Sequence, residues 1–232
     1  KRLVYSQLGG YVGFGANSQG GTYTTACNCD FTGGAGAGLV AGFMFERLTR
    51  STFTWGVTLG YEGRSITGQF REVEGVPQTS PSGRTFVVPV TFLNEADISL
   101  GVLTAMPYAK YHLFERFYVR LGASVGYVVS SSLVQTKYLE TATVAFPNGE
   151  TASVSVPGSE DGGVVVEEGP VPDVQALQVG IVPAVGMEIR LSKKMFLSPV
   201  LQYQIPLTMI STQGVGFSVR SFQVSVEVRH IL

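Results

Sequence analysis

The sequence predicts an all-β chain, a single eight-stranded antiparallel transmembrane β-barrel with short periplasmic turns and long extracellular loops. Three observations carry that expectation. Apolar and polar residues alternate with a period of two in segment after segment. The connections between those segments are by turns very short and long. Charged residues make up only 14% of the chain, against roughly 25% in a soluble globular domain.

Composition excludes several alternatives. The 232 residues contain nothing that reads as a linker between two cores, so residues 1–232 are expected to form one domain. The longest apolar stretches, such as Leu39 to Phe45, fall far short of the roughly 18 residues a membrane helix requires. Formal net charge is -1 with scattered cations, which leaves no footprint for nucleic acid. Lys1 and Arg2 lead directly into a patterned segment, not an apolar signal region, so an upstream signal is expected to have been removed.

The strands follow in chain order. Leu3 to Gly15 and Gly36 to Arg47 are noisier but have the right length. Phe53, Trp55, Val57, Leu59 and Tyr61 alternate with Thr54, Gly56, Thr58, Gly60 and Glu62, a two-faced strand. Ile98 to Leu113 is noisier. Phe117, Val119, Leu121, Ala123, Val125 and Tyr127 stand against Tyr118, Arg120, Gly122, Ser124 and Gly126. In Leu177 to Leu191, Val179, Ile181, Val185, Met187 and Ile189 oppose Gln178, Gly180, Gly186, Glu188 and Arg190. Leu197, Leu201, Tyr203, Ile205 and Leu207 face away from Ser198, Gln202 and Gln204. Phe222, Val224, Val226 and Val228 close the pattern against Gln223, Ser225, Glu227 and Arg229.

Connections near Arg47 to Ser51, Glu115 to Arg116 and Ser192 to Lys194 are tight. Those near Ala16 to Gly34, Ser65 to Ala96, Ser131 to Asp173 and Ser211 to Gly216 are mostly much longer. This asymmetry places both termini in the periplasm of a bacterial outer membrane, with lipid and lipopolysaccharide as the surrounding partners. A soluble barrel or sandwich also alternates, but the polar face here is mostly Gly, Ser, Thr and Gln, which suits a crowded barrel interior better than a solvated surface. Aromatic residues fall at both ends of the apolar face. From Phe117 to Tyr127 the chain rises roughly 25 Å at a strand tilt near 40°, the height of a lipid-facing band.

That register turns charge inward. Glu46, Lys110, Arg120, Glu188, Arg190, Glu227 and Arg229 fall on the polar face near the short turns, with Glu62 and Arg64 nearer the loops. In so narrow a barrel these groups are expected to pair as a plug. A gate that passes small ions when the pairs exchange partners, or an acid/base pair, are the alternatives.

Met106-Pro107-Tyr108-Ala109-Lys110-Tyr111, the strand Phe117 to Tyr127 and the closing alternating strand resemble the PorT-like outer-membrane β-barrel family, related in architecture to the OmpA and OmpX barrels. The resemblance implies the barrel fold and a setting in secretion or motility machinery. The chain departs from common barrel practice in ending on Ile231-Leu232 instead of a terminal aromatic.

Cys27 and Cys29 lie in the first long loop, where a local disulfide is plausible chemistry in an oxidising compartment; separate thiols or a lipid attachment are the other readings. Two cysteines with no histidine nearby do not make a metal site, and no helix follows Gly33 to Gly38 to form a dinucleotide loop, so neither metal nor cofactor is expected. The two histidines, His112 and His230, lie near the short turns, away from outer-leaflet substrates, so the chain is not expected to be an enzyme. Specific function is expected in the loops. Thr141 to Phe146 and Thr151 to Val156 read as a hairpin around Pro147-Asn148-Gly149-Glu150, and Phe70 to Val73 with Thr85 to Phe92 flank Ser80 to Gly83. Glu160, Asp161, Glu167 and Glu168 make the third loop acidic. The function expected is that of a structural or partner-binding envelope protein, probed by co-purification of an envelope partner; the alternative is a narrow pore for ions or small solutes.

Overall fold

The computed structural model describes residues 5–25, 29–49, 52–154 and 163–232. Eight long strands form the wall: β1 (Tyr5–Thr24), β2 (Gly34–Leu48), β3 (Phe53–Thr79), β4 (Thr85–His112), β5 (Phe117–Leu139), β6 (Leu177–Met187), β7 (Met195–Pro206) and β8 (Val215–Ile231). Each pairs antiparallel with its chain neighbour, except that the ring is closed by β8 on β1. The pairing of β6 with β5, Leu177 opposite Tyr127 through Met187 opposite Phe117, completes it. Up to Gly68 of β3 no sheet edge remains in this eight-stranded ring among the described residues, which is the condition for a β structure to exist in hydrocarbon.

The polarity is inverted relative to a soluble protein. Outward residues of the wall are apolar and exposed, among them Leu39, Phe43, Trp55, Leu59, Leu121, Val125, Leu201 and Val224. Inward residues are buried and polar: Gln7, Thr54, Thr58, Ser124, Ser198, Gln223 and Ser225 accompany the charged groups. Water would strip so much apolar surface of any stability advantage, whereas lipid accepts it. Phe53, Trp55, Tyr111 and Phe117 at one level, and Tyr61, Tyr127 and Tyr203 at the other, are all exposed on the outer face, marking the two edges of the apolar belt.

The belt ends where the strands exchange faces. Along β3, outward Phe53, Trp55, Leu59 and Tyr61 give way to outward Ser65, Thr67 and Gln69, while inward Glu62 and Arg64 give way to inward Ile66 and Phe70. Along β4 outward Leu103 is followed upward by Ser99 and Asp97, and inward Thr104 by Val102, Leu100 and Ile98, with a register shift at Gly101/Val102. In β8 the change falls between Val219/Arg220 and Ser221/Phe222. Above that line the chain is built as a water-soluble protein, apolar inside and polar outside.

The connection from Ser65 to Ala96 is a continuation of β3 and β4, in keeping with the strands expected on either side of Ser80 to Gly83. Their register runs unbroken from Phe53 opposite Tyr111 to Thr79 opposite Thr85, ending in a turn at Ser80 to Arg84. The short strand Gly163–Gly169 lies beside the upper part of β5. Thr143–Ala145 pairs with Thr151–Ser153 as the expected hairpin, with Gly149 at φ 85° in its turn, a conformation that favours glycine. Val144, Phe146 and Val154 from this hairpin pack on Val88, Val90 and Phe92 of β4. The projecting strands and the hairpin thus form one packed lobe.

Candidate functional site

Inside the wall, β2, β4, β5 and β8, together with Glu188 directly after β6, bring their inward charges to one level near the short turns. Glu46, 1% exposed, accepts from Lys110 Nζ at 2.7 Å, from Arg229 Nη1 at 2.5 Å and from the Tyr108 hydroxyl at 2.8 Å. Glu188 Oε1 lies 2.9 Å from Lys110 Nζ, 2.9 Å from Arg229 Nη2 and 3.4 Å from His112 Nε2. Glu227 accepts from Arg120 Nη1 at 2.6 Å, and Arg120 Nη2 donates to Gln202 at 2.7 Å. Arg229 also donates to Ser198. Two rings cover cations from the side: Tyr118 lies 4.8 Å from Lys110 Nζ and Tyr108 4.8 Å from the Arg120 guanidinium.

The second level lies toward the loops. Arg64 donates to Glu62 at 2.6 Å and to Gln204 at 2.9 Å, and Gln204 donates to Ser124 at 3.3 Å. The carboxylates of Glu46, Glu62, Glu188 and Glu227 therefore face the cations of Arg64, Lys110, Arg120 and Arg229, so that the interior charge balances. Between the levels a cavity of about 20 Å³, lined by Tyr11, Glu62, Arg120, Gln204 and Glu227 among others, holds little more than one water.

Glycine makes this crowding possible. A Cβ at Gly56 would stand 2.6 Å from the Tyr108 ring, and one at Gly186 2.4 Å from Tyr118. The tyrosines lie over their cross-strand partners Gly56 and Gly186, and reach their places only because the adjacent strand has no side chain there.

A third layer closes the loop end and was not foreseen from the sequence. Inward Ile66, Ile98, Leu100, Val102, Leu133, Phe217 and Val219 pack with Tyr23 of β1 and with Phe31, Val171 and Ile210 from the connections into a buried apolar core. Ile66, Ile98 and Leu133 lie in one cross-strand row. Their signal was present as a change of phase: apolar residues sit at odd numbers from Phe53 to Tyr61 and at even numbers in Ile66 and Phe70.

Of the residues singled out in the sequence, the interior holds Glu46, Glu62, Arg64, Lys110, Arg120, Glu188, Glu227 and Arg229, while Arg190 stands apart. Ile189–Arg190 continues the register of β6 against β7, but it lies below Glu188 at the mouth. There Arg190 is exposed and donates to the backbone carbonyls of Ser192 at 3.1 Å and Lys193 at 3.4 Å. Water and turn carbonyls satisfy the guanidinium where no carboxylate is buried beside it.

Cys29 is buried and disulfide-bonded, while Cys27 lies outside the described residues. Glu160 and Asp161 also lie outside them; Glu167 and Glu168 belong to the strand beside β5. Among the described residues no group of His, Cys, Asp and Glu is arranged to hold a metal ion.

The lobe is tied at its tip. Glu150 accepts from Asn148 Nδ2 at 2.7 Å and from Ser82 Oγ at 2.9 Å, joining the turn of the small hairpin to that of β3 and β4. These bonds hold its carboxyl below the usual carboxylate range. Arg71 donates to both carboxylate oxygens of Glu140 at 3.0 Å, and Lys137 pairs with Glu74.

No protein-family model matches the chain, and no curated protein matches it. Among solved structures it is similar to Neisserial surface protein A, with 13% identity and a TM-score of 0.38 over 95% of this chain and 96% of that one. It is similar also to the attachment invasion locus protein Ail of Yersinia pestis in complex with the heparin analogue sucrose octasulfate, with 10% identity and a TM-score of 0.38 over 97% and 99%. The outer membrane protease OmpT of Escherichia coli matches with 9% identity and a TM-score of 0.33 over 98% and 97%. At such identities nothing about ligand or activity passes from them to this chain.

Proposed function

We propose that this protein is a non-enzymatic barrel of a bacterial outer membrane, which binds another envelope protein or a surface ligand through its projecting lobe. Lipid and lipopolysaccharide surround the wall. The short turns and both ends of the chain face the periplasm, and the lobe faces outward. The observation that carries this reading is the contrast between a filled interior and a built exterior. Paired charges, a cavity of about 20 Å³ and an apolar cap occupy the lumen, while β3 and β4 extend past the belt into a lobe with its own core. A solute path would need the first of these to be open, and a passive anchor would not need the second.

The non-catalytic reading is supported by His112 lying at the short-turn mouth against Glu188, remote from the lobe. The PorT-like resemblance supplies a secretion or motility assembly as the setting. The test is extraction from native membranes in mild detergent, with the intact chain and with a variant in which residues 70–92 are replaced by a tight turn. A partner held at constant stoichiometry by the first and lost from the second is the expected result. An intact protein that runs alone, or a partner retained without the lobe, would overturn the proposal.

A further inference from the structure

The lobe has an open side. Strand β3 pairs with β2 only as far as Gly34 opposite Gly68, whereas its pairing with β4 continues to Thr79. From Gln69 to Val76 the strand therefore has a ladder neighbour on one side only among the described residues, and Pro77, with no N–H, ends the usable edge. Natural edges are commonly blunted by bulges, short length or inward charge. This one carries no bulge through Gln69 to Thr79. Two of its charges, Arg71 and Glu74, are engaged by Glu140 and Lys137 within the lobe itself.

The unpaired charge beside Gln69 to Val76 has one sign, the lobe's remaining cation, Arg84, lying at the tip turn. Glu72 makes no ion pair among the described residues, and neither do Glu95 and Asp97 on the adjoining strand, which accept from Gln69 at 2.8 Å and Thr67 at 2.5 Å. With Glu74 and Glu140 these make five carboxylates around the edge against the two cations Arg71 and Lys137. Beside them the outer face shows exposed Val73 and Val87. A second copy of the chain would bring like charge to like charge, whereas a basic strand would not.

We infer that Gln69 to Val76 takes up an extended, basic segment of a partner protein by strand addition, backbone to backbone. This rests on the reading of the lobe as the partner-binding element and names the place and chemistry of the contact. Affinity comes from the open ladder of N–H and C=O groups, and preference from the surrounding carboxylates.

The test uses the full chain in lipid nanodiscs and three synthetic strand-length peptides of alternating Val and Thr: one with lysines, one with glutamates in their place, and the lysine peptide methylated at every backbone nitrogen. The lysine peptide is expected to slow amide exchange in Gln69 to Val76, the methylated one to bind without detectable protection there, and the glutamate one to bind about threefold or more weakly. Glu72→Lys should narrow or reverse the preference between the charged peptides while leaving the barrel folded. Equal protection by the methylated peptide, or none by any of them, overturns strand addition. Because the partner extraction uses a lobe deletion and not the edge, a lobe-dependent partner together with an inert edge would remove this inference and leave the proposed function standing.

Discussion

Glu46→Gln is the sharpest probe of the interior, because it removes one charge with almost no change of shape. Glu46 holds Lys110 at 2.7 Å and Arg229 at 2.5 Å, and it is 1% exposed, so water cannot replace it. Removing one member of a buried ion pair costs about 3–5 kcal/mol, because its partner is left charged and dry. Here Glu188 remains 2.9 Å from both cations, which puts the expected loss near the lower bound, about 3 kcal/mol. The assay is urea unfolding in micelles, with Trp55, the only tryptophan, as a lipid-facing fluorophore. Adding Lys110→Met to Glu46→Gln should return part of the loss, since it takes away one of the stranded cations. A single-variant loss below about 0.5 kcal/mol, the size of an ordinary surface effect, would refute the picture of a dry, mutually dependent network.

Four further outcomes follow. Gly56→Ala should cost about 1–3 kcal/mol in the same assay, because its Cβ would meet the Tyr108 ring at 2.6 Å and push the hydroxyl away from Glu46. Phe146→Ala should loosen the lobe alone: amide exchange in Val88 to Phe92 should quicken while the barrel's resistance to urea stays unchanged. Glu150 has a carboxyl lowered from its ordinary value of 4.5, so the tie it makes should be fully present above that value and be lost as the pH falls below it, read by exchange at Ser82. In planar bilayers the protein should give no conductance steps, and steps that change on neutralising Arg120 or Glu227 would favour a pore.

The barrel and most of its charged interior were legible because period-two alternation fixes which residues share a face, and nothing but a closed sheet suits an inverted pattern in lipid. The segment Ile98 to Leu113 looked noisy for a physical reason: it crosses the membrane boundary, and its apolar residues change from odd to even numbers near Gly101. The same phase change hid the apolar cap and broke the continuity of β3 and β4, so that Phe70 to Val73 and Thr85 to Phe92 read as strands within a connection and not as extensions of the wall. Arg190 was misplaced because alternation gives a face and not a depth. It keeps the inward phase but lies beyond the last layer, where water reaches it. The packing of residues 143–153 on β4 involves partners more than fifty residues apart, which no local pattern announces.

The central claim is that β3 is lipid-facing below Gly63 and belongs to a water-soluble lobe above Ser65. Nitroxide side chains placed singly at each position from Phe53 to Arg71 in nanodiscs, with relaxation by oxygen and by a water-soluble nickel chelate compared at each, test it directly. Oxygen-dominated relaxation is expected at 55, 57, 59 and 61, nickel-dominated relaxation at 65, 67, 69 and 71, and protection from both reagents at 62, 64 and 66. Nickel access throughout the odd positions from 55 to 61 would contradict it and make the molecule a soluble barrel.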